Sequence, residues 1–324
     1  MIQNMDKTIS IILTLYNKAP YIEETIFSIY KQTYTNRELI IVDDCSTDWS
    51  LEIAKSFCEK LWITKKCKFI KNEKNLRVAK TFERWLKEAK WDWISMCDGD
   101  DILMKNKLEE NLSYCTKNNI DFCHSDLTTI DENNNIINIS RINQVHFNIN
   151  QKKYNKLIYN WNATWSSIFF SKKILDPLKR DWFPTSFAQD WRVLVYSSIK
   201  HYKIWFIKKS LVYYRRCESS ISILFYKNKK NNEDILKWRK RIFTWEIVCC
   251  NYIIDKKIYR DNKQKNRCSK HIFINNLFIN YLDWKKILIP FKLLRTIFYT
   301  WEQEHYYRIF IIQARKLLTI FNKS

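Results

Sequence analysis

Glycine is almost missing from this sequence. Gly99 is the only one in 324 residues, where average usage of ~7% would supply about 23. Neither G-x-G-x-x-G nor G-x-x-x-x-G-K-[ST] can be written with one glycine, so dinucleotide-dependent oxidoreductases and P-loop NTPases lose their phosphate cradles. A nucleotidyltransferase would likewise lack its glycine-rich first loop, which should follow Leu15. No C-x-x-C pair occurs among the ten cysteines, scattered from Cys45 to Cys268, and the five histidines do not cluster with them. That argues against a zinc module or a disulfide framework and for buried or inert thiols. No run approaches the roughly 18 consecutive apolar residues of a membrane span. No apolar signal region precedes the strand-like run at Thr8, so a cytoplasmic chain is expected.

What is present describes a globular protein: 46% hydrophobic and 28% charged residues, against the low hydrophobicity of disordered chains. The length suits one α/β domain plus an extra segment of about 100 residues. We place the first over residues 1–225 and the second over 226–324. The formal charge of +22 is uneven, because residues 226–324 hold 22 Lys+Arg against 8 Asp+Glu and so contribute +14. Basic residues there alternate with Trp, Phe, Tyr and Ile at helical spacing, as in Trp238, Ile242, Trp245 and Cys249. Two readings fit: helices lying on an anionic membrane surface, or a helical subdomain with a solvated basic face. A nucleic-acid-binding protein would also be basic and aromatic, but it leaves the acidic clusters below unexplained, and no nucleic-acid partner is expected.

Along the chain, Thr8–Leu15 (TISIILTL) is a near-continuous apolar run, as a parallel strand buried on both faces requires. Asn17 and Pro20 open a helix with Ile22, Ile26, Ile29 and Tyr30 on its buried face. Strands follow at Glu38–Val42, Cys67–Ile70 and Trp93–Cys97, and helices at Leu51–Leu61 and Val78–Ala89, while Ile102–Cys115 is compatible with a further helix. Residues 131–163 are Asn-rich and read as a loop or acceptor-side insertion, and 164–222 resume mixed structure. This alternation predicts an α/β fold with a doubly wound, mostly parallel sheet and helices on both faces. Such sheets bind ligands at the carboxyl ends of their strands, where this chain puts Thr14 and Tyr16, Asp43-Asp44, and Asp98-Gly99-Asp100-Asp101.

Three carboxylates within four residues repel unless a cation or hydrogen bonds offset them. Mg²⁺ or Mn²⁺ would do so, taking oxygen ligands from the protein and from a substrate's phosphates. A solvated acidic turn or a helix N-cap cluster is the plainer alternative.

With these pieces assembled, the segments SIILTLYNKAPYIEETIFSIYKQTY, ELIIVDDCSTDWS, ISMCDGDD and FAQDWRVLV, in that order across residues 8–222, resemble inverting glycosyltransferases of family 2, of bacterial type, which have the GT-A fold. The resemblance implies a nucleotide-sugar donor, with UDP favoured and GDP and dTDP open, and a glycan or lipid-linked acceptor. It places Thr14 and Tyr16 in the nucleotide pocket, Tyr16 near the base, and Asp44 on the base ring with Asp43 supporting the same loop. Asp98 falls to the ribose or the metal shell, Asp100 to direct metal ligation, and Asp190 of Gln189-Asp190-Trp191 to the catalytic base. Arg215 and Arg216 are candidates for phosphate contact, a surface pair being the alternative. The chain departs from the family where Gln189 replaces a frequent Glu and Cys217 a frequent His.

The 14 tryptophans complement the missing glycine. Trp49 in S-T-D-W-S and Trp91 in A-K-W-D-W stand where the family commonly has glycine, and Trp85, Trp165 and Trp205 at positions where glycine would be unsurprising. Tight turns need glycine's positive φ or its lack of a side chain. The reading we carry forward is that the source gene encodes several of these positions as UGA read as glycine. Trp49 and Trp91 are then expected exposed or strained at turns.

Overall fold

The structure is a computed structural model. It covers residues 7–89, 91–139, 164–180 and 202–217, with scattered positions between 192 and 200 and between 244 and 269. The chain divides into two compact units, Met1–Asn275 and Asn276–Ser324, and the second lies outside the described residues.

A strand buried on both faces has to be apolar at successive positions, and β1 (Ile9–Leu15) meets that demand, with only Thr14 partly exposed. It pairs in parallel with β2 (Arg37–Asp43) on one side and β4 (Trp93–Asp98) on the other, and β2 pairs in parallel with β3 (Cys67–Lys71). The crossovers are α1 (Ile22–Tyr30), α2 (Ser50–Lys60) and α3 (Arg77–Glu88). Beyond β4 the sheet becomes mixed. Its neighbours run β8 (Ile168–Ser171), β6 (Phe122–Ile130), β9 (Ile204–Arg215) and β5 (Ile102–Leu103), while β7 (Ile136–Asn138) pairs with β6. β8 is antiparallel to both β4 and β6, β9 is parallel to β6, and β5 is antiparallel to β9.

Alternation along β1 sends side chains into two cores. Ile9, Ile11, Leu13 and Leu15 pack with Ile22 and Ile26 of α1, Leu51 of α2, and Leu108 and Leu112 of α4 (Lys107–Asn118). Ile12 faces the other way, with Phe82 of α3 and Ile174 and Leu178 of α5 (Lys172–Arg180). Full burial of each such side chain stabilises by about 1.5–3 kcal/mol, which fixes helices on both faces of the sheet. Tyr252 and Ile254, from the basic segment, pack on the second of these cores.

Two differences from the sequence reading are local. Ile102 and Leu103 do not begin a helix. They pair with Tyr213 and Val212 of β9, and the helix starts at Lys107. Within the Asn-rich stretch, residues 136–138 form β7.

The turns carry tryptophan in glycine-like conformations. Among the described residues seven non-glycines have positive φ, Trp49 (66°) and Trp62 (57°) among them. For a bulky side chain this is an outlier that costs roughly 1–2 kcal/mol. Trp62 sits just beyond α2, where its N–H donates to the Glu59 carbonyl and the next N–H, of Ile63, donates to that of Cys58. This is the Schellman ending, whose left-handed residue is usually glycine or asparagine. α4 ends the same way on Asn119, φ 52°. Trp49 and Trp62 are 73% and 92% exposed, and Trp91 is exposed as well, so little burial offsets the strain. Trp85 differs. It is fully buried, edge-on to Phe82 and Trp165, although its indole N–H finds no acceptor among the described residues. Trp205 stacks on Tyr114.

Candidate active site

The parallel strands deliver their last residues to one edge. Thr14 of β1 and Asp98 of β4 are register partners, and the Thr14 hydroxyl donates to Asp98 Oδ1 at 2.6 Å. Asp43 closes β2. Its carboxylate accepts from the backbone N–H and the hydroxyl of Ser46, folding the turn that follows. Burial raises the Asp43 carboxyl above its usual range, and the Ser46 bonds oppose that shift. Asp44 follows, nearly buried, and its Oδ1 accepts from Asn72 Nδ2 and the Leu76 N–H, both at 2.8 Å.

The loops after β1 and β2 are laced together. The Asn17 N–H donates to Ser46 Oγ (3.0 Å), that of Lys18 to Ser50 Oγ (2.7 Å), that of Ala19 to Asp48 Oδ2 (2.9 Å), and that of Thr47 to Asn17 Oδ1 (2.9 Å). Tyr16 follows directly on β1 and is exposed.

The three carboxylates after β4 go three ways. Asp98 turns to Thr14. Asp100 accepts from the Lys18 ammonium, Nζ to Oδ2 2.5 Å, in a pair whose side chains are only 19% and 10% exposed. Burial alone would lower the Lys18 pKa, but the charge and hydrogen bond of Asp100 outweigh it and hold the ammonium above its usual range. Asp101 is fully buried. It accepts from the Ser166 hydroxyl and from the Arg215 N–H at 3.0 Å. Burial first, then the charges of Asp100 and Asp98, push its carboxyl well above the carboxylate range. Gly99 lies between. A Cβ there would stand 3.0 Å from Leu15 Cδ1, 3.1 Å from the Thr14 carbonyl oxygen and 3.3 Å from Lys18 Cγ. A side chain at the chain's one glycine would therefore press on β1 and on the Lys18 stem, each of which would have to give by a few tenths of an ångström.

Among the described residues no three His, Cys, Asp or Glu side chains gather into a metal-holding group. The arrangement still fits a hard cation that takes one or two protein carboxylates and completes its shell with substrate phosphate and water, as Mg²⁺ and Mn²⁺ do. An ammonium already stands against Asp100 Oδ2, so this carboxylate accommodates positive charge.

Arg215, fully buried at the end of β9, directs its guanidinium inward: Nε to the Asp100 carbonyl (2.9 Å), Nη1 to the carbonyls of Asp131 and Glu132, Nη2 to Glu24 (2.6 Å), with its plane over the Tyr21 ring. It braces the acidic loop. The Arg216 N–H donates to the Ile130 carbonyl, and the Cys217 thiol lies 4.0 Å from Asp100 Oδ2. Asp190 lies outside the described residues. The sequence reading did not include Lys18, Ser166 or Glu24. Only the singularity of Gly99, over which the Lys18 stem passes, could have drawn attention to the first.

The sheet and the helices that cover it have the GT-A fold, shared with solved glycosyltransferases. The chain belongs to glycosyl transferase family 2, whose model matches residues 10–176. It is 32% identical over 234 residues, 71% of this chain and 86% of the relative, to the Escherichia coli UDP-Glc:alpha-D-GlcNAc-diphosphoundecaprenol beta-1,3-glucosyltransferase WfgD. The putative glycosyltransferase EpsE of Bacillus subtilis is 36% identical over 114 residues, 35% of this chain and 40% of that one. Among solved structures, S. aureus TarS 1-349 in complex with UDP-GlcNAc is similar with a TM-score of 0.56 at 17% identity, covering 82% of this chain and 70% of that one. The Pyrobaculum calidifontis mannosyltransferase PcManGT, in complex with GDP-Man and Mn2+, gives 0.51 at 15%, covering 96% and 84%. These two likenesses concern the fold.

Proposed function

We propose that this glycosyltransferase moves a sugar from a UDP-sugar to a hydroxyl of a glycan or lipid-linked acceptor, inverting the anomeric centre. The observation that carries this is the meeting of Thr14, Asp43, Asp44, Asp98 and Asp100 at one sheet edge, with an ammonium held against Asp100. The E. coli relative, named for a UDP-Glc donor and a diphosphoundecaprenol-linked acceptor, supports the choice of donor and acceptor class.

In this reading Tyr16 offers its exposed ring to the base, and Asp44 accepts from the base ring with Asp43 fixing its loop. Asp98 serves the ribose or the metal shell, Asp100 and Asp98 hold Mn²⁺ or Mg²⁺, and Arg216 faces the diphosphate while Arg215 braces the loop. When bound, the cation neutralises charge on the leaving diphosphate. Asp190 accepts the proton of the acceptor hydroxyl, whose oxygen bonds to the anomeric carbon as the bond to the diphosphate breaks. The basic 226–324 segment rests on an anionic membrane at its cytoplasmic face. No helix among the described residues is long and apolar enough to cross a membrane.

The test is a donor screen over UDP-, GDP- and dTDP-sugars, reading released nucleoside diphosphate with Mn²⁺ and with EDTA. Release from a UDP-sugar that stops in EDTA is expected. Asp190→Asn should keep UDP binding and lose at least ~100-fold in transfer. Unchanged transfer with collapsed UDP binding would sink the base assignment.

A further inference from the structure

The buried pair of Lys18 and Asp100 poses a question that the family reading leaves open. Asp100 is the carboxylate that the reading above gives to the divalent cation, and with Nζ 2.5 Å from Oδ2 the ammonium already occupies one approach to it. Like charges packed against one oxygen in a poorly hydrated site repel strongly, so ammonium and metal exclude one another there. The fold has built the lysine in. Its N–H is fixed by Ser50 Oγ, its carbonyl accepts from the N–H groups of Tyr21 and Ile22 at the start of α1, and its stem crosses the one position where the chain has no side chain.

We propose that Lys18 is a resident counter-cation for Asp100, which yields the carboxylate to the divalent metal when the donor binds and then meets the donor's diphosphate. This rests on the metal-dependent nucleotide-sugar reading above. The lysine keeps a nearly buried carboxylate neutralised while the donor is absent, since an unpaired buried charge is strongly destabilising. It also sets an order, because metal alone has to displace the ammonium with no new anion to receive it, whereas metal arriving with the diphosphate supplies one. Metal affinity is therefore suppressed without nucleotide and restored with it.

The experiment measures Mn²⁺ binding to the full chain by electron paramagnetic resonance, with and without UDP, for the wild type, Lys18→Met and Lys18→Arg. Lys18→Met keeps the stem over Gly99 and removes the charge. Without UDP it should bind Mn²⁺ at least about tenfold more tightly than the wild type, with Lys18→Arg close to the wild type. At saturating Mn²⁺ it should bind UDP several-fold more weakly. Equal or weaker nucleotide-free Mn²⁺ binding by a folded Lys18→Met overturns the proposal. A second measurement needs no variant: competitive labelling of wild-type lysines with acetic anhydride, read by mass spectrometry. Labelling of Lys18 should rise at Mn²⁺ concentrations high enough to fill the nucleotide-free site and fall when UDP is added, and indifference to both overturns the proposal. If no variant binds Mn²⁺ even with UDP, the metal-dependent reading fails and takes this proposal with it. If all bind it with UDP but Lys18→Met gains nothing without it, only the role of Lys18 fails.

Discussion

At the scale of single residues, the chain separates side chains that fit their backbone from side chains that do not. Asn119 and Trp62 end their helices with the same two hydrogen bonds and nearly the same φ. Asparagine adopts that conformation readily, and tryptophan does so only against steric cost. Trp49→Gly and Trp62→Gly should each raise unfolding free energy by about 1 kcal/mol in urea melts, and the gene should carry UGA at both. UGG codons together with unchanged melts would refute the reading. Trp85 should behave in the opposite way, since Trp85→Gly empties a packed aromatic cluster and should cost about 3–5 kcal/mol. Asp100 belongs to this scale as well. Asp100→Asn should abolish Mn²⁺-dependent UDP binding, measured by calorimetry, while circular dichroism stays unchanged, because the amide keeps the volume and loses the charge.

At the scale of elements, the alternation from β1 to β4 was legible because each strand is buried on both faces, and continuous apolar runs such as TISIILTL have no competing explanation. The errors fell where pairing is non-local. Ile102 and Leu103 carry no local sign that they will pair with Tyr213 and Val212, more than a hundred residues away. The site was legible in its acidic residues, which stand at strand ends, but not in their partners. That Asp100 would face Lys18 and that Arg215 would turn inward depend on how loops from different elements meet. α4 offers a test of its own. Its first residue, Lys107, is fully buried with Nζ 2.8 Å from Ser95 Oγ, and burial lowers its pKa to about 8. Below that pH both folded and unfolded chains carry the proton, and the fold bears the cost of a buried charge. Between about 8 and the ordinary 10.5 only the unfolded chain keeps it, so this group makes stability rise with pH across that window. Lys107→Met should raise stability at pH 7 by roughly 1–3 kcal/mol and flatten the rise. An equal slope in mutant and wild type would assign it to other groups.

At the scale of the whole molecule, charge is the dominant asymmetry, with +14 of the +22 carried by residues 226–324. If that segment rests on lipid, the full chain should co-sediment with anionic vesicles at low salt and be released as salt rises past the physiological range, where the Debye length falls below ~8 Å. Equal co-sedimentation with neutral vesicles would return the segment to the role of a solvated basic face.

The route by which the acidic loop acquires its partners has a consequence for how the protein is made. β1 to β4 are near neighbours in sequence and can begin pairing while the rest of the chain is still inside the ribosome. The loop at their edge cannot be finished then, because Asp101 waits for the Arg215 N–H, 114 residues further on, and the Asp100 carbonyl waits for the same arginine's guanidinium. The stretch matched by the family model closes at residue 176, before β9 exists. A nascent chain stalled there would display a recognisable nucleotide-binding half with a buried carboxylate still lacking its backbone donor, and the last strand among the described residues to leave the ribosome is the one that supplies it.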